Sequence, residues 1–302
     1  MDYRADQGTG KGEPSTGELG SARLNTGAQM AADGPAGSGS EPTVHRAQGS
    51  RSAPFVLMYH SVTPYTDDPY LVTISPGRFE LQMGWLDRRG LRGVSIGTLM
   101  AARRRHCDAG LVGLTFDDGY DDFRRHALPV LLRHGFTATA FVIAGRLGGH
   151  NGWDQQGPRK ELMTARQVRE VAAAGIEIGS HGLRHVSLTG ATDLALQREQ
   201  LQSRQILQDV TGTEVGGFCY PYGHLDRRVL DGVRGAGYDY GCAIWASELT
   251  GRYALPRVYV GEPDGRARLQ AKRLRHRLTC TRALPLDTDA LAATQLVLRR
   301  SA

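Results

Sequence analysis

The stretch "GLTFDDGYDD" (Gly113–Asp122) sets two adjacent carboxylates directly behind an apolar run. Neighbouring side chains of a strand point to opposite faces, so Asp117 and Asp118 cannot share a pocket from within one. They can if the strand ends there and the backbone turns, and Gly119 tolerates the positive φ that such a turn needs. Val112, Leu114 and Phe116 then form the buried strand. An ordinary strand exit also favours aspartate, so the surrounding chain has to decide between a turn and a site.

Around this stretch, apolar runs and helical periods alternate. "PFVLMYH" (Pro54–His60) suits a buried strand. In "SPGRFELQMGWLDRRG" (Ser75–Gly90), Phe79, Met83 and Leu86 are at helical spacing, with Gly90 as a stop. A helix over Ala127–Gly135, a strand over Thr137–Gly145 and a helix capped by Thr164 and stopped by Gly175 follow. Next come a strand ending at His181, a long helix to Gly212 with Leu194, Leu201 and Leu207 inward, and a strand turning at Pro221–Gly223. A short helix over Arg227–Gly237 and strands in "YGCAIW" (Tyr240–Trp245) and "ALPRVYV" (Ala254–Val260) complete the series. Such alternation predicts an α/β fold with a parallel sheet, and about seven units suit a barrel closed on itself better than an open sheet. In barrels of this kind, chemistry gathers at the C-terminal ends of the strands. Asp117, Asp118, His181 and Tyr222 all fall there.

The 302 residues allow one large domain, and a hydrophobic fraction of 40% provides a core. The net charge of +6 is mildly basic, but no motif points to nucleic acid. Residues 1–52 are rich in small and polar residues without hydrophobic periodicity, the signature of a disordered segment. Residues 53–262 hold the barrel, and 263–302 form a basic, partly helical extension. No apolar leader or 18-residue apolar run is visible, so the sequence as written reads as cytoplasmic, or as extracytoplasmic if its start is misassigned. Cys107, Cys219, Cys242 and Cys280 form no CxxC pair and read as free thiols.

"GSHGLRHVSLT" (Gly179–Thr189) holds His181 and His185 four residues apart, which in one helical turn face the same way. Two imidazoles and a carboxylate are a common divalent-metal ligand set. "LTFDDGY" (Leu114–Tyr120), "IGSHGLRHVSL" (Ile178–Leu188) and "FCYPYGH" (Phe218–His224), in this order, resemble the successive motifs of the polysaccharide deacetylase family, carbohydrate esterase family 4. With "LMYHSV" (Leu57–Val62) and "LPRVYV" (Leu255–Val260), the resemblance is to the branch containing poly-N-acetylglucosamine deacetylases, over Pro54 to about Val260.

The resemblance implies a distorted (β/α) barrel and metal-dependent hydrolysis of an N-acetyl group. Asp118, His181 and His185 would ligate the ion, zinc first, with nickel or cobalt as other choices. Asp117 would be the general base, and the Pro221–Tyr222 turn would donate a backbone N–H to the oxyanion. The chain departs from the family's better-known members in two places. Their base-orienting arginine is replaced by Cys219 at or next to its position, and Arg257 is the candidate substitute, since its fork can hold a carboxylate. The late histidine acid is also missing, leaving His60, at the exit of the first strand, as candidate acid. Trp153 and Asp154 suit a loop over a sugar, and Trp245 an acetyl pocket. The basic stretch Gly265–Arg282 suits an anionic polymer, a membrane surface or plain solvent. The expected substrate is an N-acetylated glycan or glycoconjugate. A small cytoplasmic metabolite, or a non-catalytic carbohydrate-binding role, is the alternative.

Overall fold

The computed structural model describes residues 53–280. The expectation for residues 1–52 lies outside them, as does the extension beyond residue 280. Ten strands are present among the described residues: β1 (Val56–Tyr59), β2 (Ser61–Val62), β3 (Thr73–Ile74), β4 (Arg92–Val94), β5 (Leu111–Phe116), β6 (Thr139–Val142), β7 (Glu177–Ser180), β8 (Gly217–Cys219), β9 (Tyr240–Cys242) and β10 (Val258–Tyr259). The helices are α1 (Pro76–Asp87), α2 (Ile96–Arg104), α3 (Leu128–Arg133), α4 (Ala165–Ala173), α5 (Asp193–Gln197), α6 (Ser203–Thr211), α7 (Arg227–Gly235) and α8 (Arg266–Thr279).

Seven strands run parallel in the order β10-β1-β5-β6-β7-β8-β9, curled with helices outside into a distorted, incompletely closed barrel, and β4 pairs with the start of β5. Among the described residues no ladder joins β9 to β10. The segment leading into β10 instead forms a single parallel bridge, Cys242 to Leu255. β5 is central: Val56–Tyr59 pairs with Gly113–Phe116, and Thr115–Phe116 with Thr139–Ala140. Its continuous apolar run follows from burial on both faces. Gly113 lets α2 approach, because a Cβ there would come within 2.7 Å of Ile96 and 3.0 Å of Val56.

Local signals place the helices. Ser75 caps α1 with Pro76 behind it, and Phe79, Met83 and Leu86 are buried as the spacing requires. Thr164 and Gln167 form a capping box at α4. The long helix departs from expectation. Leu207 is inward, but Leu194 and Leu201 are 59% and 47% exposed. The inward stripe carries Leu196, Glu199, Gln200 and Ser203, so it is partly polar and leucine positions alone do not mark it. A π-helical turn, Arg198–Gln202, separates α5 from α6. The widened turn leaves carbonyls to be satisfied from outside the ladder: Tyr238 donates to Gln200 O at 2.8 Å and the Ser203 hydroxyl to Glu199 O at 2.5 Å. No helix among the described residues is long and apolar enough to cross a membrane.

Candidate active site

β5 ends at Phe116, and the chain turns through Asp118 (φ 72°) and Gly119 (φ 74°). Both residues are left-handed, so the turn begins one residue before the glycine. Aspartate tolerates this region better than most residues. The result brings both carboxylates into one buried pocket. Of the five non-glycine residues with positive φ among those described, three are Asp118, His185 and Tyr222. Backbone strain of this kind concentrates where the surrounding structure fixes a functional geometry. The second acidic pair is spent on scaffolding. Asp122 accepts from the Ser61 hydroxyl at 2.6 Å and Val62 N–H at 3.1 Å, and Asp121 pairs with Arg124 and Arg125.

Asp117 meets Arg257 in a forked contact: Nη1 to Oδ1 at 2.7 Å and Nη2 to Oδ2 at 2.8 Å. The arginine also donates to Ala243 O, Thr115 Oγ1 and the Cys219 sulfur, 3.1 Å away. Its side chain is fully buried, which a surface arginine at a strand start would not be. Burial pushes the Asp117 carboxyl up, but the charge of Arg257, then the His60 ring and the Arg257 hydrogen bonds, hold it below its ordinary value. Removing one partner of such a pair strands a buried charge. Arg257→Met is therefore expected to cost about 3–5 kcal/mol of folding stability, read by urea unfolding. A loss under 1 kcal/mol would mean that the pair is dispensable.

Asp118, His181 and His185 converge beside this pair. Nε2 of each histidine is 3.4 Å from Asp118 Oδ1. That oxygen is buried without a hydrogen-bond partner, a costly state unless a cation completes it. His181 Nδ1 is 2.9 Å from Cys219 O. A carbonyl only accepts, so Nδ1 carries a proton and Nε2 is the nitrogen turned toward Asp118, an arrangement typical of metal-ligating histidines. Burial pushes the His185 pKa down to about 4 against the pull of Asp118, leaving the neutral imidazole that ligates metals. The donor set fits a divalent ion. A second grouping, Asp117 with His181 and Cys219, fits one poorly, because the Arg257 charge already occupies Asp117.

His181 and His185 do not lie on a helical turn, as their spacing suggested. They sit in an irregular loop after β7, with His185 at φ 61°. Glu199 holds that loop: its fully buried carboxylate accepts from Leu183 N–H at 2.7 Å, Arg184 N–H at 3.1 Å and Arg184 Nε at 2.8 Å. No pattern of hydrophobicity marks Glu199, because its partners are two backbone N–H groups and a guanidinium of another segment.

His60 Nε2 is 3.8 Å from Asp117 Oδ2, and its Nδ1 is buried without a partner. The Tyr222 ring packs edge-on against His185 at 4.5 Å, on a turn where Tyr222 has φ 60°. Trp153 stacks on the same His185 ring at 4.6 Å. Beside it, burial and then the Asp118 charge push the Asp154 pKa up to about 6. Two further residues, assigned no role from the sequence, join the site: Tyr120, the last residue of the first motif, whose hydroxyl faces Asp154 at 3.4 Å, and Lys160, which lies over the Tyr120 ring. Trp245 is 68% exposed just past the end of β9 and belongs to no core.

Residues 105–241 match the family model described as polysaccharide deacetylase. A protein of that family from Bacillus subtilis (strain 168), YxkH, is 31% identical over 210 residues, covering 68% of this chain and 70% of the relative. The poly-beta-1,6-N-acetyl-D-glucosamine N-deacetylase of Staphylococcus aureus (strain MSSA476) is 21% identical, covering 63% of this chain and 68% of that protein. Among solved structures, IcaB from Ammonifex degensii superposes with a TM-score of 0.61 at 25% identity, covering 74% of this chain and 97% of that one. The Streptococcus pyogenes deacetylase PplD, solved in complex with acetate, shares the fold with a TM-score of 0.62 at 23% identity, covering 72% and 97%. With its motifs at the ends of β5, β7 and β8 and a relative of this identity and coverage, the chain belongs to the polysaccharide deacetylase family.

Proposed function

We propose that this protein is a metal-dependent N-deacetylase that hydrolyses the acetamide of N-acetylhexosamine residues in a glycan, with a β-1,6-linked N-acetylglucosamine polymer as the leading substrate. The observation that carries the reading is the buried Asp118–His181–His185 cluster directly beside the Asp117–Arg257 pair. The substrate choice draws on the named activity of the Staphylococcus aureus relative. Two imidazoles and a carboxylate suit zinc, with nickel or cobalt also accommodated. When bound, such an ion acidifies a water and polarises an amide carbonyl, which suits a base as weak as an arginine-paired carboxylate.

The chain's own residues move the protons. Asp117, held anionic and oriented by Arg257, takes one from the attacking water as its oxygen bonds to the acetyl carbon. The backbone N–H of Tyr222 donates to the carbonyl oxygen as charge develops there. When the C–N bond breaks, the amine nitrogen leaves with a proton from His60 Nε2, and acetate remains. His60→Ala is expected to lower kcat roughly 10²-fold, the scale of a lost general acid, with ion content unchanged by elemental analysis. An unaltered kcat would leave both transfers to Asp117.

The direct test is acetate release from β-1,6- and β-1,4-linked N-acetylglucosamine oligomers and from the monosaccharide, with and without added zinc. Metal-dependent release from the β-1,6 oligomers is the expected result. Release from the monosaccharide alone would redirect the reading to a small metabolite, and no release from any substrate would overturn it.

A further inference from the structure

Helix α8 has an outer face that neither the barrel nor the active site uses. Its inner stripe docks it firmly. Leu269 is buried, Lys272 Nζ reaches Asp264 at 2.6 Å and Tyr259 O at 2.8 Å, and His276 Nε2 lies 2.9 Å from Ala53 O at the foot of β1. On the opposite side Ala267, Ala271, Leu274 and Leu278 are all exposed, the two leucines at 53% and 68%. At 100° per residue these four positions fall within about 60° of arc. They form one continuous apolar seam.

Arginines line both edges of the seam. Arg268 and Arg275 flank one side, and Arg266, Arg277 and the half-buried Arg273 the other. Burial, and then the neighbouring charges of Arg277 and of Arg89 from beyond α1, push the Arg273 pKa down, so the positive charge extends from α8 onto the adjoining surface. The fourteen residues of α8 contain no aspartate or glutamate. An outward apolar strip between two cationic borders on a helix anchored along its length has the pattern of a helix that lies in a lipid interface.

We propose that the outer face of α8 docks the protein onto an anionic lipid bilayer, with Leu274 and Leu278 entering the headgroup boundary and Arg266, Arg268, Arg275 and Arg277 contacting lipid phosphates. Two other occupants fit less well. A second copy of the helix would set arginine against arginine with no acid to offset them. An anionic polymer would satisfy the arginines and leave the leucines in water. Because α8 runs beside the sheet, from the end of β10 back to the foot of β1, this docking lays the strands along the membrane and leaves the active-site mouth opening sideways.

The test is co-sedimentation of the full chain with phosphatidylglycerol/phosphatidylcholine vesicles and with pure phosphatidylcholine vesicles, at two salt concentrations. The wild-type chain is expected to bind the anionic vesicles and not the neutral ones. The triple variant Arg268→Gln, Arg275→Gln, Arg277→Gln should bind roughly 100-fold more weakly, at about fivefold per arginine. Leu274→Ser with Leu278→Ser should weaken binding about tenfold and leave the thermal transition unchanged, since both side chains are exposed. Equal binding to both vesicle types, or none, overturns the proposal. So does undiminished vesicle binding by the leucine variant, which would mark a purely electrostatic polymer site. Self-association without vesicles that the leucine variant abolishes would assign the face to a second copy.

Discussion

His181→Ala is expected to remove the bound divalent ion and to abolish acetate release. The expectation rests on geometry: His181 Nε2 faces Asp118 Oδ1 at 3.4 Å, and its other nitrogen is fixed by Cys219 O. Alanine leaves a carboxylate and one imidazole, which is too few protein ligands for a catalytic site that usually holds three. The loop itself should survive, because Glu199 anchors it through Leu183 and Arg184. Elemental analysis of the purified variant, beside its thermal transition, separates loss of the ion from loss of the fold. A folded variant with a full complement of metal would remove His181 from the ligand set.

Asp117→Asn is expected to keep the ion and to lower kcat by about 10²–10⁴-fold, the range for a lost general base. The carboxamide has nearly the same shape and still offers one oxygen to Arg257, but it cannot take a proton. Its Nδ2 would face a guanidinium donor or the Cys219 sulfur, so some stability is lost as well, and turnover has to be expressed per folded, metal-loaded molecule. Asp118→Asn gives the contrasting pattern, with weakened metal binding as the primary defect. Near-normal kcat in metal-loaded Asp117→Asn would exchange or discard the two roles.

The two acids show how far local sequence carries. A run of apolar residues ending in Asp117-Asp118-Gly119 predicts a strand end and a turn, because both are decided by neighbouring residues. The same holds for the Thr164 cap and for Phe79, Met83 and Leu86 on α1. Strand β4 leaves little trace in the sequence: a three-residue strand containing Gly93 carries too little pattern, and its fit depends on Leu114 of a different strand. Helical spacing points Leu194 and Leu201 inward, yet both are exposed, because hydrophobicity marks the buried stripe only where its partners are apolar. At this helix the partners are carbonyls and N–H groups, and polar residues fill the stripe.

Alternation, capping and turn chemistry act over a few residues, and they suffice for the parallel α/β barrel, the order of its motifs and the residue types at the strand ends. Which side chains meet depends on pairing over long range. Arg257 lies 140 residues from Asp117 in the chain, yet forks onto it because β10 and β5 both flank β1. His181 and His185 share a pocket through a strained loop tied down by Glu199, not through a helical turn. A side chain's direction is a local property of its backbone, but its partner is set by which strands the sheet brings side by side.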